Sequence, residues 1–400
     1  MIVRLQGAIR SYDWGSRTAL AELLGADSPS VEPQAELWLG AHPLGEAAVL
    51  TPHGERVPLG AWIERDPVAA LGAEVAERFA GRLPFLLKML AVERALSLQA
   101  HPDAAQAREG FEREQREGRA AAERLYVDAE AKPELVVAHS RFRALCGFRP
   151  LAEIAAAFER VGLGALAPPA DAPAAPWLRA LLARWLAPDA GPERDAQLAR
   201  ALAAARPDDP AEACMLRLAE EHPRDPGVLA PLLLHQVELA PGEALFLEAG
   251  ELHCYLEGIA AEIMAASDNV LRAGLTTKHR AVDELLRVAR FEPRAPRILR
   301  AADRSPGVRA WATPAERFEL SIVDVAGAAV EIAERSGIEI LLCHEGGVRV
   351  EPIGGGDALS LRRGESSLVP AAVGSYRIAG AGRLYRATVP RAPARSQGDR

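Results

Sequence analysis

The chain is expected to be mainly β, with helices inserted near its middle. Three features point that way. Short apolar runs broken by Pro and Gly occupy residues 1–100 and return from 232 onward, as strands bounded by turns do. Between them, residues 151–225 carry apolar side chains at helical spacing. Finally, APGEALFLEAGELHCYL (240–256) aligns with RRGESSLVPAAVGSYRI (362–378) at an offset of 122 residues, so a strand–turn–strand unit is used twice. Two related β-barrels or sandwiches are the expected outcome. The position of His253 in the first copy is Ser375 in the second.

Taken in order, AELWLGAHPLG, AAVLTPHG, LPFLLKML and ALSLQA read as strands. Residues 104–125 are charged, Ala-rich and free of Pro, and predict a solvated helix. Strand signals return at ELVVAHS. In LAEIAAAFERVGL, Leu151, Ile154, Phe158 and Val161 share one helical face, as do Trp177, Leu178, Leu181, Leu182 and Trp185 in WLRALLARWL. Pro168, Pro169, Pro173 and Pro176 separate these two helices. HQVELAPGEALFLEAGELHCYLEG and AAEIMAAS are β, HRAVDELLRVA (279–289) is a helix, and 297–390 reads as short strands with Gly/Pro turns. The tail RAPARSQGDR (391–400) is expected to be disordered.

With 47 basic and 55 acidic side chains the net charge is 47 − 55 = −8, which attracts neither nucleic acid nor anionic lipid. No run is apolar and long enough to span a membrane, and MIVRLQGAIRSYDWGS lacks the apolar stretch of a signal peptide. Cys146, Cys214, Cys254 and Cys343 are scattered, as expected of reduced thiols in a cytoplasmic protein. No heptads or interface stripe are evident, and a monomer is expected.

Candidate chemistry begins at LSLQAHPD (96–103). Ser97, Gln99 and His101 alternate with Leu96, Leu98 and Ala100, so the polar three share one strand face. Alone, a His beside a Pro is more often a satisfied loop residue than a ligand; Gln99 on the same face changes the balance. His253 opens HCYL, which puts His253 and Tyr255 on one face. Two imidazoles need an anion to hold a divalent ion well, and Glu134 in AKPELVV is the best carboxylate, although a Glu at a strand start is usually just exposed. Asp268, Asn269, Arg272, Thr276, Thr277 and Lys278 cluster in SDNVLRAGLTTK. They form either a polar loop capping the next helix or an anion site. Lys88 within FLLKML must snorkel, pair or serve a site.

Taken together, LPFLLKMLAVERALSLQAHPD, KPELV, AGELHCYLEG and AAEIMAASDNVLRAGLTTKH resemble the type I phosphomannose isomerases, in that order, with YDWGS and ELWLGAHPLG resembling the family's opening motifs. The resemblance implies two cupin-type jelly-roll β-barrels plus a helical domain. The catalytic barrel would comprise 1–150 with 230–292, the inserted helices 151–229, and a metal-free barrel 293–390. It implies one Zn2+ per chain, held by Gln99, His101, Glu134 and His253, although manganese, cobalt or iron suit the same donors. Arg272, Lys132, Glu262 and Asp268 would be catalytic, and Ser97, Lys88, Lys278 and Tyr255 would contact substrate. The proton-transfer base stays open among Glu262, Asp268, Lys132 and a metal-bound water, with His42 a distant option. The implied reaction interconverts mannose 6-phosphate and fructose 6-phosphate through a cis-enediol. The alternatives are a non-catalytic cupin that binds a sugar phosphate and an isomerase of a related sugar. Three departures stand out: Glu130 and Ala131 replace the family's Asn-His pair before KPE, Cys254 replaces an Ala, and His279 replaces an aromatic residue.

Overall fold

A computed structural model of the chain describes residues 1–187 and 190–391. Of the tail expected to be disordered, only Arg391 lies within the described residues.

The chain is mainly β, with most strands in two antiparallel sheets. In the first, the His253–Ala265 strand lies between Phe85–Val92 and Glu134–Ala138. Its start also pairs with Phe142–Phe148 and with the short Leu98–Ala100 strand, which in turn pairs with Leu271–Gly274. In the second, Glu339–Pro352 and Tyr376–Thr388 run side by side. These are 14 and 13 residues long, so the C-terminal region is built on two long strands rather than on short ones throughout. Glycines at 346, 380 and 382 let them approach where any side chain would meet the facing backbone, and these residues, with Gly347, erased the strand periodicity in the sequence. The sheets also cross the expected boundaries. Val3–Gln6 pairs with Ser366–Val369, whereas Arg297–Arg300 pairs with Glu243–Leu247.

The repeat has a structural counterpart. Gly242 and Gly364 both take left-handed backbone, at φ +87° and +85°, and each turn leads through a short strand into a 13-residue strand, one in each sheet.

Strand alternation decides what each face does. Phe85, Leu87, Met89 and Ala91 pack between the sheets with Leu320, Ile340 and Leu342, so Lys88 points to the opposite face. Similarly, Leu98, Ala100, Cys254, Leu256, Leu271 and Ala273 pack against Phe158, Leu178, Trp185 and Met215 of the helices. The helices thus back three strands whose other face carries Gln99, His253 and Arg272.

Three differences from expectation concern helices. The charged helix covers Ala104–Arg116 only. Asp103 and Gln106 cap it reciprocally at its start, and Gly118 at φ +70° turns the chain away just past its end. The helix near 279–289 covers Val282–Val288. Residues 59–78, absent from the helical reading, form three short helices, Leu59–Glu64, Pro67–Leu71 and Ala73–Arg78. The cue was Asp66-Pro67, where the Asp66 carboxylate accepts the Ala69 N–H at 3.0 Å.

Where the sheets meet, His344 stacks on Tyr385 with ring centroids 4.4 Å apart and meets His139 edge-on at 5.1 Å. It is buried, and neither ring nitrogen has a hydrogen-bond partner. Burial, then the neighbouring His139 and Arg383, push its pKa down to about 3. The folded state therefore keeps this ring neutral while the unfolded chain protonates it below about pH 6.5. Stability is full above pH 6.5 and falls on acidification toward pH 3, by up to ~1.4 kcal/mol per pH unit from this residue. His344→Phe is expected to flatten the acid limb of a Tm–pH profile; an unchanged limb would contradict this account of the ring.

Candidate metal centre

Three strand starts and one loop converge at one end of the first sheet. Register sets the spacing. His253 lies opposite Gln99, and Gln99 lies opposite Arg272, so the three sit in a row across neighbouring strands. His101 follows the Leu98–Ala100 strand, and Glu134 begins its own strand opposite Met264.

His101, Glu134 and His253 are buried, and their ligand atoms lie within 4.8 Å of one another. The His101 Nδ1–H donates to the Asn269 carbonyl at 2.8 Å, and the His253 Nδ1–H donates to the Glu251 carbonyl at 2.8 Å. Both Nε2 lone pairs are thereby turned inward. They lie 3.4 and 3.6 Å from the two Glu134 carboxylate oxygens. Burial, then the neighbouring His101, lowers the His253 pKa to about 4. His101 is likewise lowered, mainly by burial. Burial alone would raise Glu134, but Lys132 and then His101 hold it well below the usual carboxylate range. Lone pairs therefore face a carboxylate with no proton between them, and both His101 Nε2 and one Glu134 oxygen are buried without a partner. This donor set fits a divalent cation, since N and O ligands with two backbone-anchored imidazoles are what zinc takes.

Gln99 closes the remaining side. Its Nε2 is 3.4 Å from His253 Nε2, and its Oε1 accepts the Ser97 hydroxyl at 3.0 Å. A half-turn of the amide turns Oε1 inward, and the Ser97 hydroxyl suits either orientation because it both donates and accepts. Ser97 itself lies just before the strand rather than within it.

The other sequence candidates fall into two groups. Lys88 is buried between Glu262 at 3.1 Å and Glu36 at 3.8 Å, with its ammonium 5.1 Å from the Trp38 ring centroid. Burial alone would lower its pKa, but the carboxylates outweigh it and keep the lysine charged. Tyr255 donates to Glu262 at 2.9 Å, and burial raises the Glu262 pKa. Lys132 contacts Glu134 at 3.0 Å. Asp268, Arg272 and Lys278 line a cleft of about 410 Å³. The His42 Nε2–H donates to Asp268 at 3.1 Å while its Nδ1 accepts the Leu44 N–H, so His42 orients Asp268. Arg272 pairs with Gln99 through its backbone, but among the described residues its guanidinium forms no ion pair or hydrogen bond.

The three departures are accommodated. Glu130 pairs with Arg317 beyond the first sheet, Cys254 points to the helix side and donates to the Leu96 carbonyl, and His279 lines the cleft. Four participants were not singled out from the sequence: Glu36, Trp38, Asp128 and Arg124. Asp128 holds Asn269, whose amide donates to the Asp128 carbonyl at 2.9 Å and to its carboxylate at 3.1 Å, and Asn269 in turn holds His101.

A family model described as the catalytic domain of type I phosphomannose isomerase matches residues 2–151, and one described as the cupin domain of mannose-6-phosphate isomerase matches residues 309–389. The mannose-6-phosphate isomerase of Salmonella typhimurium is 39% identical over 390 residues, covering 96% of this chain and 98% of that protein. The Bos taurus protein of the same name is 32% identical over 400 residues, covering 90% and 91%. Among solved structures, an arginine-to-alanine mutant of phosphomannose isomerase from Salmonella typhimurium superposes with a TM-score of 0.88 at 35% identity, over 97% of this chain and 99% of that one. A zinc-bound mannose 6-phosphate isomerase gives 0.88 at 35% identity, over 98% and 100%.

Proposed function

The chain belongs to the type I phosphomannose isomerases, and on that premise we propose that it interconverts mannose 6-phosphate and fructose 6-phosphate, using one zinc ion held by Gln99, His101, Glu134 and His253. The observation that carries this is the convergence of buried, proton-free donors on one point, with the unpaired Arg272 one strand away. When bound, zinc supplies a Lewis acid that withdraws charge from a sugar oxygen.

The reaction moves a proton between C1 and C2 through a cis-enediol, so the chain must hold the sugar, take up a proton and stabilise negative charge. Arg272 is a free guanidinium at the cleft and stabilises the developing oxyanion. Lys132 adds positive charge beside Glu134. Of the acids named above, Asp268 alone lines the cleft, and His42 fixes the orientation of its carboxylate. Glu262 is already engaged by Lys88 and Tyr255 and holds those two side chains in place. Lys278, which lines the cleft, and Ser97 are assigned to the phosphate.

The two sheets are read as two cupin-type jelly-roll barrels, the first carrying the helical insertion and the metal centre, the second structural. The shared turn-and-strand repeat supports this. The expected division into 1–150 with 230–292, 151–229 and 293–390 is kept, with the exchanged edge strands added. A monomer is proposed that takes a small sugar phosphate and no nucleic acid, as its net charge of −8 favours. Four free cysteines suit the cytoplasm.

A coupled assay against mannose 6-phosphate, glucose 6-phosphate and free mannose tests the reading. Turnover of mannose 6-phosphate alone supports it. Binding of mannose 6-phosphate without turnover would favour the sugar-phosphate sensor, and turnover of another sugar alone would reassign the substrate. Lys278→Ala is expected to raise KM about tenfold with a smaller fall in kcat, as loss of uniform binding does; a large fall in kcat at constant KM would contradict the phosphate role.

A further inference from the structure

The cleft beside the metal centre carries one more free cation than the sequence motifs name. Arg124, Arg272 and Lys278 all line it. Four nearby arginines are neutralised: Arg113 pairs with Glu284, Arg119 with Glu114, Arg280 with Asp225 and Arg287 with Glu284. Among the described residues, Arg124, Arg272 and Lys278 have no carboxylate partner. Two acids also line the cleft, Glu123 and Asp268; Asp268 is bonded to His42, and among the described residues neither forms an ion pair with the three cations. Lys278 is lowered by burial and then by Arg272, the mark of like charges facing one space. Three unpaired cations against two acids leave the cleft with an excess of positive charge, which is a seat for an anion.

Arg124 is also held in place. Its Nε donates to the Arg119 carbonyl at 3.1 Å and its guanidinium lies over the Phe111 ring at 5.6 Å, which leaves the two terminal nitrogens for a ligand. The following backbone is pinned at Leu125 and Tyr126 by the buried Glu114 carboxylate, at 3.0 and 3.1 Å. It is pinned at Val127 by the Asn269 side chain at 2.8 Å. Asn269 is the residue whose carbonyl orients His101. The position of Arg124 is therefore fixed relative to the metal centre.

We propose that Arg124 is a specificity-determining residue that grips the phosphate of the sugar phosphate together with Lys278, a role that rests on the isomerase reading above. A guanidinium suits phosphate bidentately where the lysine acts as a point charge.

The test compares wild type, Arg124→Gln and Arg124→Lys. KM and kcat are measured for mannose 6-phosphate, and the affinity for inorganic phosphate is measured directly by calorimetry. Zinc content and Tm are recorded for each protein. For Arg124→Gln, KM and the phosphate Kd are expected to rise about tenfold or more, with kcat within about threefold, zinc content unchanged, and partial recovery in Arg124→Lys. Unchanged KM and phosphate Kd would overturn the assignment. So would a fall in kcat that tracks loss of zinc or of Tm, which marks a purely structural arginine. Because phosphate binding is read without turnover, a wild type that binds phosphate through Arg124 but fails to isomerise would sink the isomerase reading and leave the anion seat standing.

Discussion

Glu134→Gln is expected to leave the fold intact and abolish both zinc retention and turnover, lowering kcat/KM on the order of 10³-fold or more. The carboxylate is the only anion among the proposed ligands, and its two oxygens face the two imidazoles at 3.4 and 3.6 Å. The amide keeps the shape and removes the charge that two neutral imidazoles and Gln99 cannot replace. It also unpairs the buried Lys132, so a modest loss of Tm should accompany the loss of metal. Metal analysis of the purified variant, alongside the isomerase assay, checks this. Full zinc occupancy with full activity would remove Glu134 from the centre.

The second large effect concerns charge stabilisation without metal loss. Arg272→Ala is expected to retain one zinc ion and a near-normal Tm while kcat falls about 10²- to 10³-fold. Arg272 makes no structural ion pair among the described residues, so its removal leaves no buried acid behind. Burial lowers its pKa, although a guanidinium stays charged at any working pH. Its contribution is therefore electrostatic rather than acid–base. The contrast with Lys278→Ala is diagnostic, since there KM should carry most of the change. If Arg272→Ala changed only KM, the arginine would be a binding residue and the oxyanion would need another partner.

Much of this site was legible because strand alternation and register are local properties. LSLQAHPD showed that Gln99 and Ser97 share a polar setting, and HCYL separated His253 and Tyr255 from Cys254 before any pairing was known. What periodicity could not supply was partnership across the fold. Lys88 was conspicuous inside an apolar strand, but its partner Glu36 was hidden in ELWLG, where a strand-start Glu reads as ordinary surface. His42 and Asp268 are far apart in sequence, and neither motif hints that one orients the other. Arg124 lies in a charged stretch whose composition suggests solvent, and its distinction is that it lines the cleft while Arg113 and Arg119 nearby are held by acids. That is visible only when the acids are placed. The ligand set itself was reached through the family resemblance, since spacing alone left Glu134 an exposed strand-start residue.

The missed elements have a common cause as well. The helices of residues 59–78 are five or six residues long, too short for a 3.6-residue period to show, and only the Asp66-Pro67 cap announces them. The long C-terminal strands were read as short because glycines interrupt the apolar alternation at the points where two backbones come together.

The most direct measurement is mannose 6-phosphate to fructose 6-phosphate turnover by metal-stripped protein during stepwise addition of zinc. Activity that is absent in the stripped protein, rises linearly and saturates at one zinc per chain is the expected result. It ties the reaction to the His101–Glu134–His253 centre. Turnover undiminished by stripping, or none at any zinc level in a folded sample, would contradict the assignment of this centre as the seat of the isomerase reaction.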